Sequence, residues 1–172
     1  MLSTRLAFLF FVFTALANVV IATERIAVKR DDNLPARVPY VFPPPGTDAI
    51  LRTGVLNNAA YVWLQHGPVG ASVGLTLNQL REIRLTPAFA SAHIPNSSLT
   101  PELNAAIVFA DFMTESLQVP QTVFNSLHKF LNDTQMVDAV ATVGGYNFVS
   151  RFVVALDVDS KADVPVPIPT SL

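Results

Sequence analysis

Three histidines, His66, His93 and His128, are the side chains whose charge changes near neutral pH. His66 closes the run Tyr61-Val62-Trp63-Leu64-Gln65-His66, at the end of an expected helix. An imidazole there can move a proton, or it can cap helix carbonyls and pack on Trp63. Tyr61 and Trp63 are the candidate substrate-binding aromatics beside it, although core packing draws on the same residue types. Arg151 follows Asn147 by four positions in an otherwise apolar stretch. Its guanidinium suits a substrate carboxylate; pairing with Asp111 or Glu115 across a helix interface is the structural alternative and the one preferred here. Asp111 and Glu115 are themselves four apart and share a helical face, for which solvation is the simplest role. His128 sits beside Lys129 on a charged face, and His93 lies in a proline-flanked loop.

The exclusions are sharper. No two histidines stand at i, i+4 and there is no H-E-x-x-H, so no metal site is expected. No serine lies in G-x-S-x-G, which removes support for a serine hydrolase. The chain of 172 residues has no cysteine, which removes thiol peroxidases, thiol hydrolases and cysteine-ligated zinc. No glycine-rich phosphate loop is present, and no cofactor is implied. The formal net charge is −2, with 11 basic and 13 acidic residues. A mildly acidic chain does not favour phosphate backbones, so no nucleic-acid partner is expected.

Residues 1–22 read as a signal peptide: Arg5 supplies an early positive charge, Leu6 to Ala17 is almost wholly apolar, and small residues offer cuts before Asn18 or Thr23. The apolar run is short for a membrane span, which needs ~20 residues, so no membrane partner is expected once the leader is removed and the protein is read as secreted. Loss of Arg5 would shift the net charge to −3, and a cut at the dibasic Lys29-Arg30 would shift it to −5. Asn96-Ser97-Ser98 and Asn132-Asp133-Thr134 are acceptor sequons for N-glycans.

Residues 23–48 form a proline-rich arm, with Pro43-Pro44-Pro45-Gly46 denying helix. A helical domain is expected over 49–159, followed by a proline-rich tail over 160–172. Asp48 can cap a first helix running from 49 to 66, weakened at Gly54 and broken by Gly67-Pro68, with a loose continuation to Gly74 as the alternative. Thr76 caps a short helix carrying Leu77, Leu80 and Ile83. Thr100-Pro101-Glu102 is a strong helix start, with a capping hydroxyl, proline in the first turn and an early acid. Further helices are expected over 121–131 and about 135–156, the latter capped by Asp133 or Thr134 and holding Gly144-Gly145, a pair usually tolerated where another helix crosses closely. Four or five helices make one all-α domain.

Ile50-Leu51-Arg52, Ala59-Ala60-Tyr61-Val62-Trp63-Leu64-Gln65-His66, Gly67-Pro68-Val69-Gly70, Phe109-Ala110-Asp111-Phe112-Met113-Thr114, Val119-Pro120 and Val143 to Phe152 stand in an order that resembles the carboxymuconolactone decarboxylase family, which shares a helical fold with alkylhydroperoxidase D. Arg37-Val38-Pro39-Tyr40 and the proline run resemble the N-terminal arm of fungal members. The resemblance covers most of 37–169 and implies an alkylhydroperoxidase D-like domain. Peroxidase members carry C-x-x-C, a histidine four positions after the second cysteine and a glutamate twelve before the first. Those positions fall here on Ala59, Val62, His66 and Thr47, so only His66 is retained. Peroxide reduction needs a thiolate and a resolving thiol, and that activity is not expected. Decarboxylase-like members commonly read Tyr-Glu-Trp-x-x-His; Val62 replaces the acid that would share a proton with the histidine. A helical stretch between the arm and the Leu-Arg motif is also missing, so the domain is expected to be incomplete on its N-terminal side.

The resemblance leads to a secreted protein with a reduced or lost catalytic site, one that binds a small aromatic acid or lactone or forms a homo-oligomer. The enzyme alternative is a cofactor-free decarboxylase or lactone-processing activity, with His66 as general acid and Arg151 near the substrate carboxylate. A third possibility is an interaction module, since a shortened helical domain exposes apolar surface that needs a partner.

Overall fold

The computed structural model describes residues 46–90 and 95–172, and these are all-α. The leader, the dibasic pair, the arm before Gly46 and His93 lie outside them. Six α-helices follow in order: α1 Thr47–Leu56, α2 Ala60–Ser72, α3 Leu77–Leu85, α4 Pro101–Glu115, α5 Gln121–His128 and α6 Asp133–Ala155, with a 3-10 turn at Val158–Ser160. None of these helices is long and apolar enough to cross a membrane.

Helix α1 is the hub, packing on α2, α3, α4 and α6. Seven of its ten residues are buried, including Thr47, Asp48, Arg52 and Thr53. A helix surrounded on so many sides must satisfy its polar groups internally. Arg52, with no exposed surface, does so completely. Its Nε donates to Asp111 Oδ1 at 2.5 Å and its Nη2 to Oδ2 at 3.2 Å. Its Nη1 donates to the carbonyls of Ile83 (2.9 Å) and Thr86 (2.8 Å), which a helix C-terminus otherwise leaves without donors. Asp111 Oδ2 also accepts from the Phe89 amide at 2.8 Å. One ion pair thus ties α1 to α4 and to the end of α3. Asp111 therefore belongs to a buried bridge rather than to a solvated face shared with Glu115, and its partner is Arg52 rather than Arg151.

The single helix expected over 49–66 is two helices. Asn58 takes a left-handed backbone, φ 49°. The Asn58 amide then bonds Val55 O at 3.0 Å, and the Ala59 amide bonds Gly54 O at 2.8 Å. This is the paired closure that ends a helix at a left-handed residue, with asparagine in the place usually held by glycine. Helix α2 ends the same way at Gly74, φ 106°, where Leu75 N bonds Gly70 O at 2.9 Å. Gly67-Pro68 does not stop α2. Proline frees the carbonyl four residues earlier, here that of Leu64, which stands on an exposed part of the helix where water can take it. Gly70 has a packing reason: a Cβ there would stand 2.9 Å from Leu75 and 3.1 Å from Leu51.

The other starts follow the sequence. Thr76 and Gln79 make a reciprocal capping box on α3. Thr100 accepts from Leu103 N, with Pro101 in the first turn of α4. The cap of α6 is Asn132 rather than Asp133 or Thr134. The main core joins α1 to α4 through Leu51, Trp63, Ile83, Leu103 and Ile107, and Val166 of the tail is buried in it. Arg84 Nε holds that tail by its Val166 carbonyl at 2.8 Å. A second cluster, centred on Phe109, Leu127 and Met136, joins α4, α5 and α6.

Helix α6 departs from expectation at its glycines. Beyond its chain neighbours and the backbone of α6 itself, no described atom lies within 4 Å of a Cβ built on Gly144 or Gly145, so no other described helix crosses there. Val137, Val140 and Phe148 on α6 are exposed.

Two outcomes follow. Asp111→Asn leaves the Arg52 charge buried without its counter-ion and should cost 3–5 kcal/mol, on the order found for broken buried pairs, in urea unfolding. Replacing both glycines by alanine should stabilise the monomer by about 1–2 kcal/mol, since each interior helical glycine costs roughly 0.5–1 kcal/mol relative to alanine.

Candidate functional site

Of the residues singled out by type, His66 has a defined partner. Because α2 runs on to Ser72, His66 stands inside the helix rather than at its end. Its Nε2 lies 3.1 Å from the Tyr146 hydroxyl of α6, and the rings meet edge-to-face at 5.0 Å. Burial lowers the His66 pKa and raises that of Tyr146. Both groups are therefore favoured in their neutral forms, and a neutral imidazole accepts a proton more readily than it gives one.

The other three candidates are not gathered around it. Trp63 is 5 % exposed and belongs to the main core. Its other role is to line a cavity of about 220 Å³ with Gly67, Leu80 and Pro169. Tyr61 is half-buried on the apolar cluster between α2 and α6 formed around Val62 and Val153. Arg151 is exposed and donates to its own helix, at Asn147 O (2.9 Å) and Asn147 Oδ1 (3.1 Å). Asn147 is itself a junction: its amide nitrogen donates to Thr114 Oγ1 on α4, and its oxygen accepts from Asn57.

A different residue opens onto a larger space. Asp48, in the first turn of α1, is 4 % exposed. The backbone amides of Gly46, Asp48 and Ala49 favour its ionised form. Oδ2 nevertheless has no partner. Burial pushes the Asp48 pKa up to about 6, against the pull of those amides, and the nearby Glu102 carboxylate adds to the rise. Asp48 lines a cavity of about 320 Å³ bounded by the start of α1, by α4 and by α5–α6. Its walls include Leu103, Ala106, Phe109, Leu131 and Val143, and its other polar edges are Thr100, Glu102, Gln135 and Asp138. The volume falls at the lower end of the range for small-molecule sites. His66 is not among the residues lining either cavity.

Sequence reading took Asp48 for the cap of the first helix; the N-cap is Gly46, no side chain caps α1, and Asp48 stands inside its first turn. The signal it missed is positional. Asp48 precedes Arg52 by one turn, and nothing in the sequence says that Asp111 and the α3 carbonyls occupy that arginine.

Among the described residues no group of three His, Asp or Glu is placed to hold a metal ion. No protein-family model and no curated protein matches the chain.

The Asp48 shift has a stability consequence with a definite sign. The folded-state pKa of about 6 lies above the ordinary 3.8. The stability linked to this group is fully present below pH 3.8 and is lost as pH rises through about 6. Asp48→Asn should therefore match the parent near pH 4 and exceed it by roughly 3 kcal/mol at pH 8, the shift converted at 1.36 kcal/mol per pH unit. Chemical denaturation at the two pH values checks this; an equal difference at both would refute the assignment.

Proposed function

We propose that this chain is a small-molecule-binding protein of the secretory pathway, a shortened carboxymuconolactone decarboxylase-like domain whose ligand sits in the Asp48 cavity. One observation carries the reading: Asp48, buried and with one carboxylate oxygen that no hydrogen bond satisfies, lines an apolar-walled space. Unpaired buried polar atoms are rare because each costs desolvation free energy without return. A ligand that supplies a hydrogen-bond donor removes that cost. Three carboxylates and no basic side chain line the cavity, which disfavours the aromatic acid implied by the family resemblance, and the ester group of a lactone has no donor to offer Asp48. Catalysis by His66 has weaker support, because the residue is neutral by burial and lies outside the lining of this cavity.

The α6 surface supports a second reading, a homo-oligomer. Two helical glycines carry a stability cost that no described residue explains, and exposed Val137 and Phe148 stand on the same helix. Close approach of a second copy would account for both. In that case the double alanine variant lowers the association constant in sedimentation equilibrium while raising the stability of the monomer.

Binding is tested with indole, a compact aromatic with one N–H donor, followed by saturation-transfer NMR. Indole should bind the parent and not Ala106→Leu or Ala139→Leu, which narrow the cavity from α4 and α6. Equal signals from parent and both variants would place the ligand elsewhere.

A further inference from the structure

We infer that the Asp48 cavity selects a cationic ligand: a primary amine on a compact apolar body, its ammonium on the free Asp48 oxygen and its hydrocarbon among Leu103, Ala106 and Phe109. The inference rests on the binding reading above and adds the ligand's charge.

Electrostatics within the cavity point one way. Its ionisable lining residues are Asp48, Glu102 and Asp138, from α1, α4 and α6, and all are acidic. Glu102 and Asp138 are exposed, so an approaching cation meets them before it reaches the buried Asp48. No arginine or lysine lines the space, and Arg52, one turn along α1, is fully committed to Asp111 and to two carbonyls. A cation therefore meets no repulsion inside, while an anion meets the buried Asp48 carboxylate at low dielectric and two exposed carboxylates besides.

Donor capacity points the same way. Oδ2 of the buried Asp48 carboxylate has no hydrogen-bond donor. An ammonium brings three donors and a full charge, whereas an alcohol brings one donor and none. The apolar walls then take the rest of the molecule. Binding a cation also draws Asp48 into its ionised form. Since Asp48 without ligand titrates at about 6, amine affinity should rise as pH increases from 5 to 7.5. Glu102 and Asp138 are the other titratable groups facing the cavity from α4 and α6, and Asp48→Asn separates their contribution from that of Asp48.

The test is calorimetric titration of the full chain with three ligands of one shape: benzylamine, benzyl alcohol and benzoate. Benzylamine should bind at least tenfold tighter than benzyl alcohol at pH 7.5, with benzoate weakest. That preference should shrink at least tenfold in Asp48→Asn. Asp48→Asn is expected to be the more stable protein at this pH, so loss of amine binding will not reflect unfolding. Equal affinity for amine and alcohol, or tighter binding of benzoate, overturns the charge selection and leaves the binding reading standing. No binding of any of the three, with indole also silent, overturns both. An amine preference that persists unchanged in Asp48→Asn overturns the role of Asp48.

Discussion

The buried pair between Arg52 and Asp111 organises the rest of the domain. Moving a guanidinium and a carboxylate out of water costs several kcal/mol per ion, and their mutual attraction offsets this only when every remaining donor and acceptor is satisfied. Here the compensation is near complete: a two-point contact between the ions, two carbonyls at the end of α3 for the remaining guanidinium nitrogen, and the Phe89 amide for the carboxylate. The geometry of the pair fixes α1 against α3 and α4. It also bears on Asp48. Residues one turn apart on a helix are neighbours, and Arg52 would be the natural counter-ion for Asp48. With the guanidinium turned to Asp111, Asp48 is left with only backbone amides, a raised pKa and an unbonded oxygen. Burial is the main cause of that rise, and Arg52 is not placed to oppose it.

Much of the architecture is legible in local chemistry. Thr76, with Gln79 three residues later, marks α3, and Thr100-Pro101-Glu102 marks α4. These signals act within one helical turn, where a hydroxyl reaches an amide without help from tertiary structure. The errors arise where a longer range decides. Asn57-Asn58 contains no glycine or proline, so apolar spacing carries a helix straight through it; a left-handed asparagine and the packing of Gly54 against Val62 end it instead. Pro68 reads as a breaker, yet the carbonyl it frees lies on the solvent side and α2 continues.

The candidate site was less legible for the same reason. Histidine, tryptophan and arginine attract attention by residue type, but function depends on what each side chain faces. Trp63 faces the core, Arg151 folds back on Asn147, and His66 meets a tyrosine 80 residues away. None of those destinations is written in the spacing. Asp48 was visible only as a candidate cap, a role Gly46 holds, because capping is a local signal while the cavity Asp48 lines is built largely from α4, α5 and α6.

Asp48 and the glycine pair of α6 share a feature that separates them from the rest of the fold. Elsewhere local preference and tertiary packing agree: caps find their amides, the buried arginine finds its acid, and Gly70 stands where a Cβ would collide. At Asp48 a carboxylate is held where burial opposes its charge, and at Gly144-Gly145 the helix gives up side chains where there is room for them. Sequences that specify one structure satisfy their levels together, and departures concentrate where something besides folding is served. The two departures differ in the kind of partner that would resolve them. A carboxylate oxygen without a donor is satisfied by a hydrogen-bond donor, whether a water or a ligand brings it. Room beside glycines on a helix that also exposes Val137 and Phe148 is filled by an apolar surface. The two places ask for different chemistry.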